Sequence, residues 1–147
     1  MSYNFLPYEP EQMFLLPPSL TEWVREESLA RFVSEVVDEL EREGRLAAFY
    51  ARYRADGWGQ AAYAPRMMVK VLLYAYCTGV VSSRLMAQAL EGDVAFRYLA
   101  ANQQPDFRTL SDFRNEHREA LEGLFVEILR LCREAGLVKM GRVALDG

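Results

Sequence analysis

The side chains best equipped for chemistry in this chain of 147 residues fall into two groups. The first is a single carboxylate, Asp146, which ends the apolar run Val143, Ala144, Leu145 and is followed by Gly147. Metal-dependent phosphoryl-transfer sites hold one or two divalent ions between carboxylates from separate elements, and one oxygen donor cannot fix such a site. Asp-Gly is also a favoured turn pair, so taken alone Asp146 reads first as a turn residue. The second group is Arg108, Thr109, Ser111, Arg114, Asn115 and Arg118, with Arg84 and Arg97 upstream. Arg can pair with guanine or phosphate and Asn with adenine, while hydroxyls near a helix N-terminus can reach phosphate oxygens. Double-stranded DNA is the ligand this set suits. A solvated polar helix would have the same composition, so spacing alone leaves both readings open.

Other chemistries find little support. No GxGxxG or GxxxxGK[ST] phosphate loop occurs, nor a GxSxG elbow or an HExxH pair. His117 is the only histidine and sits among charged neighbours in the sequence, so it makes neither a histidine-based metal site nor a base for Ser82 or Ser83. Cys77 and Cys132 lie in apolar stretches without a CxxC or CxxH neighbour and read as buried thiols in a reducing cytoplasm. No basic segment followed by an apolar stretch marks a secretory signal. The most apolar stretch, Met67 to Val81, is interrupted by Lys70 and Gly79, so no membrane partner is expected.

Charge is unevenly spread. The net value is -4, but up to Pro65 six Arg face eleven Asp and Glu, a balance of -5. From Arg66 to Arg118 seven basic residues face five acidic ones, a balance of +2, and the remainder is -1. A nucleic-acid surface confined to the middle of the chain fits that swing, although +2 is well short of a strongly basic footprint.

The elements that must position these residues are mostly helical. Residues 1–18 combine four prolines with Tyr3, Phe5, Leu6, Tyr8, Met13, Phe14, Leu15 and Leu16, which reads as an extended apolar arm that packs on its own domain or on a partner chain. Leu29, Phe32, Val33, Val36, Val37 and Leu40 recur at helical spacing from Ser28 to Glu43, and Gly44 stops them. A short helix is expected over Leu46 to Arg54. Pro65 opens the most apolar helix, the expected centre of the core. Ser82 or Ser83 caps the next through Glu91, and Asp93 caps another. Thr109 is expected to cap a helix carrying Leu110 and Phe113, with Asp112 completing a near-capping box. A long helix from Glu119 to Ala135 ends at Gly136, after which Leu137 to Asp146 turns strand-like. The fold class is therefore all-α: a multi-helix domain over 19–136, including a helix-turn-helix-like cluster whose last helix reads DNA, followed by one terminal β-strand over 137–147.

Three ordered blocks carry a family resemblance: Tyr63 to Arg84 (YAPRMMVKVLLYAYCTGVVSSR), Asp93 to Ala100 (DVAFRYLA) and Pro105 to His117 (PDFRTLSDFRNEH). Together they resemble the N-terminal region of bacterial insertion-sequence transposases of the DDE type, over essentially the whole chain. The resemblance implies a helical domain that recognises terminal inverted repeats, followed by the start of an RNase H-like catalytic core. It makes Asp146 the first carboxylate of an Asp-Asp-Glu triad, and it implies Mg2+ for a complete member. The second Asp and the Glu have no counterpart in these residues, so no cofactor is expected for this chain, and by itself it should not transpose DNA. A truncated element or the first frame of a split one would encode such a chain. The expected setting is the bacterial cytoplasm, associated with the nucleoid. The alternative is a helical protein-protein interaction module that forms a homodimer or regulates a full-length transposase through its apolar arm and acidic first helices.

Overall fold

The computed structural model describes Phe5, Pro10, Glu11 and residues 19–51 and 63–136. Among them are six α-helices: α1 (Leu29–Arg42), α2 (Pro65–Cys77), α3 (Ser83–Gly92), α4 (Val94–Leu99), α5 (Phe107–Glu116) and α6 (Arg118–Glu134). Two 3-10 turns, Leu20–Trp23 and Ala47–Tyr50, accompany them. The described residues contain helices and no strand; the strand expected over 137–147, with Asp146, lies outside them, as does most of the arm over 1–18.

Local chemistry explains most of the helix ends. Ser28 caps α1 by accepting a hydrogen bond from the Arg31 N–H at 3.3 Å. At the other end Gly44 takes φ +74°, and the N–H groups of Gly44 and Arg45 donate to the carbonyls of Glu41 and Leu40. That pair of bonds is the Schellman closure, which a residue without Cβ adopts at least cost. The same closure ends α2: Gly79 has φ +79°, Gly79 N–H donates to Tyr76 and Val80 N–H to Ala75. Ser82 then caps α3, and the Asp93 carboxylate accepts from the Ala95 and Phe96 N–H groups to start α4 immediately after α3.

Two starts differ from expectation. Asp106, and not Thr109, caps α5, accepting the Thr109 N–H at 2.8 Å. Both residues are capping types three positions apart, and the helix begins at the earlier one because Thr109 can serve as its donor. The short helix expected over Leu46 to Arg54 is a 3-10 turn at Ala47–Tyr50, and residues 52–62 lie outside the described set.

α2 is the hub of the packing, in contact with α1, α4, α5 and α6. Met68, Val69, Val71, Leu72, Leu73 and Ala75 are shut off from solvent on it, whereas Tyr74 and Tyr76 are half-buried at its margin. The other helices each turn one stripe inward: Val33 and Val37 from α1, Met86 and Leu90 from α3, Phe96 and Leu99 from α4, and Leu121 and Ile128 from α6. Burying each such side chain contributes about 1.5–3 kcal/mol, which makes this seam the main source of stability. Lys70, the charge that interrupts the apolar stretch, turns toward α1. Its Nζ lies 2.8 Å from Asp38 Oδ1 and donates to Ser34 Oγ at 2.9 Å.

Candidate nucleic-acid interface

α5 buries Leu110 and Phe113 and presents the opposite side to solvent. Phe113 stacks on Phe49 at 5.9 Å with the rings 9° from parallel, which pins one face of α5 to the Ala47–Tyr50 turn. With that side fixed, the spacing of three, four and seven places Arg108, Ser111, Asp112 and Asn115 together on the other side. Arg108, Asp112 and Asn115 are exposed, and Ser111 is half-buried.

α5 takes α3 as its main packing partner. Phe107 joins the two chemically, because the Arg84 guanidinium lies 4.0 Å from the ring centre and the Arg108 guanidinium 5.9 Å. A cation over an aromatic face is held by the ring quadrupole without losing its outward donors. Nothing in the order of residues marks Phe107 as the link between these two arginines.

At the C-terminal end of α5, Arg114 Nη1 donates to the Val81 carbonyl at 2.6 Å, and Arg118 Nη2 donates to Asn115 Oδ1 at 2.8 Å. The second bond engages Asn115 through its carbonyl oxygen and makes no use of its amide N–H groups. A cleft of about 330 Å3 opens beside these residues, lined by Tyr76, Gly79, Val81, Arg114, Arg118, Glu122 and Phe125.

Two of the sequence-derived candidates have other partners. Arg97 donates through Nε to Asn102 Oδ1 at 2.9 Å and lies 5.6 Å from the ring of Trp23, so it is engaged at α4 and the Leu20–Trp23 turn, not with α5. Thr109 is half-buried and bonded to Asp106, whose carboxyl is held below its ordinary range by the Thr109 N–H first and the Thr109 hydroxyl second. That carboxylate occupies the N-terminus of α5, where a phosphate would otherwise bind. Ser111 stays beside the exposed stripe. In space His117 packs among rings and keeps one carboxylate neighbour: its side chain is 10% exposed, 5.0 Å from Phe49 and 4.6 Å from Phe113, with Nε2 3.8 Å from Glu116 Oε1. It forms the one-residue joint between α5 and α6.

Among the described residues no group of three His, Cys, Asp or Glu side chains is placed to hold a metal ion. The Mg2+ chemistry that the resemblance attaches to Asp146 has no footing among them. Cys77 and Cys132 are free thiols, and burial pushes them up to about 12 and about 11. No described helix is long and apolar enough to cross a membrane.

A family model described as a transposase domain (DUF772) matches residues 18–116, a span that includes α1 to α5. No curated protein and no solved structure matches the chain.

Proposed function

The chain belongs to the DUF772 transposase-domain family, and from that premise we propose that its helical unit binds double-stranded DNA at the terminal inverted repeats of an insertion element. α5 is the reading helix. Arg108 and Asn115 face base edges, Arg118 and Arg84 take phosphates, and Ser111 flanks the same stripe. The observation that carries this reading is the exposed row of Arg108, Asp112 and Asn115 on α5, extended onto α3 by the shared stacking of Arg84 and Arg108 on Phe107. Asp112 in the middle of the row favours base reading over indiscriminate phosphate binding, because a carboxylate repels the backbone and can accept a hydrogen bond from the cytosine amino group. The arrangement uses α3 as the support for α5, in the manner of a helix-turn-helix cluster.

Arg114 has a supporting place in this reading, since its bond to Val81 ties α5 to the α2–α3 turn. Arg97, held by Asn102 and Trp23, lies outside the contact surface. Asp146 would be the first metal-binding carboxylate only within a complete Asp-Asp-Glu site. Fluorescence anisotropy with an inverted-repeat duplex and a scrambled duplex of equal length tests the proposal. Preference for the inverted repeat supports it, and equal affinity for both speaks against α5 as a reading helix.

A further inference from the structure

We propose that the cleft between the C-terminal end of α2, the α2–α3 turn, α5 and α6 is a nucleotide pocket, taking the base against its aromatic wall and the phosphate at its arginines. The site is built from chemically distinct parts. Tyr76 and Phe125 meet edge to face at 5.6 Å and 81°, giving a stiff apolar wall on which a planar ring can lie. Arg114 donates to Val81 and Arg118 to Asn115, and each guanidinium has further N–H donors to offer an anion. Glu122 supplies a carboxylate acceptor among the same lining residues.

A bare phosphate would use the arginines and leave the wall idle. An apolar side chain would use the wall and leave two cations beside it. A nucleotide uses all three parts. Guanine is the best match, because its N1–H and N2–H2 donors share one edge that the two oxygens of Glu122 can accept. The volume of about 330 Å3 is at the small end of ligand sites and is in keeping with one nucleotide. Two sources can provide it: a free mononucleotide, or an unstacked nucleotide of bound DNA, since Arg118 and Asn115 join the cleft to the exposed row on α5. Only the second source rests on the DNA-binding proposal.

The test is amide NMR of the full chain titrated with guanosine 5′-monophosphate, guanosine and inorganic phosphate. Saturable shifts at Gly79, Glu122 and Phe125 with the monophosphate, and weaker ones with either fragment, are expected. Phe125→Leu should raise the dissociation constant about tenfold, as loss of base stacking does. Glu122→Gln, at an exposed position, should narrow the preference for guanosine over uridine monophosphate without affecting folding. A duplex carrying 2-aminopurine at successive positions separates the sources: a rise in emission on binding marks an unstacked base, and free-nucleotide shifts without that rise mark a mononucleotide ligand. If neither the monophosphate nor the duplex moves the amides of the cleft, the proposal is overturned, whether or not the protein binds DNA elsewhere.

Discussion

Arg114 Nη1 donates to the carbonyl oxygen of Val81 at 2.6 Å, joining α5 to the turn that follows α2. The carbonyl is available because the turn is closed through Gly79 at φ +79°, with Val80 N–H returned to Ala75. A glycine at the end of one helix thereby sets the position of a helix far along the chain. The same bond fixes Arg114 at the edge of the cleft beside Arg118.

Gly79→Ala should destabilise the fold by about 1–2 kcal/mol, the usual cost of the left-handed conformation for a residue with Cβ. No neighbouring atom lies within 4 Å of an added Cβ, so the cost is conformational and not steric. Urea denaturation should show a lower midpoint with an unchanged slope. Arg114→Ala should cost about 1 kcal/mol through the lost bond, and in both variants inverted-repeat binding should weaken as α5 loses its tether.

Asp106 gives a pH signature. Its carboxyl is held below the ordinary value of 3.8 by the Thr109 N–H and hydroxyl. A group with a depressed folded pKa contributes stability that is present above the unfolded value and lost as pH falls through the folded one. The contribution should therefore fade below about pH 4. Asp106→Asn keeps a capping oxygen that does not titrate, so its stability profile should be flatter than that of the wild type in this acid range. Parallel melting curves from pH 3 to 6 would measure the difference.

The pair between Lys70 and Asp38 links α1 to α2, with Lys70 12% exposed, Asp38 31% exposed and Arg66 Nη1 3.5 Å away on the same oxygen. Asp38→Ala should cost about 2 kcal/mol, less than the roughly 3–5 kcal/mol of a fully buried pair because Asp38 keeps water contact. Adding Lys70→Met should recover much of that loss, since the unpaired ammonium is then gone. A double-mutant cycle in urea measures the coupling, and DNA affinity should not change along it.

Cys77 and Cys132 should be slow to react with a disulfide reagent at pH 8, because burial pushes their thiols up to about 12 and about 11 and leaves little thiolate. Raised folded values mean that their contribution to stability is complete below the ordinary 9.0 and is lost as pH rises through the folded values. Labelling should accelerate sharply in denaturant, and alkaline destabilisation should begin above pH 9.

Elements with local signals were legible in the sequence. Ser28, Pro65, Ser82 and Asp93 start helices where their types indicate, and Gly44, Gly79 and Gly136 follow helix ends with positive φ. The apolar density of α2 correctly marks it as the hub. The expected start of α5 at Thr109 fell three residues late, because Asp106 is also a capping type and captures the Thr109 N–H. Long-range relationships left no trace in residue order. His117 follows Asn115 and Glu116 in sequence yet packs on Phe49 and Phe113, and Arg97, from the middle of the basic region, turns to Trp23 and Asn102. Arg84, Arg108, Arg114, Asn115 and Arg118 could be named as candidates by type alone, but their division around Phe107 at one end and the cleft at the other depends on how α3, α5 and α6 pack.

DNA recognition by α5 is tested most directly by the salt dependence of inverted-repeat binding in wild type and in the Arg108→Ala, Arg118→Ala variant. Each phosphate neutralised contributes about -0.9 to the slope of log affinity against log salt, and in the proposed arrangement Arg118 would take a phosphate and Arg108 would face a base. The expected result is weaker binding, a slope shallower by about one, and reduced discrimination against the scrambled duplex. Unchanged affinity and slope in a variant with native melting behaviour would contradict DNA binding through this helix.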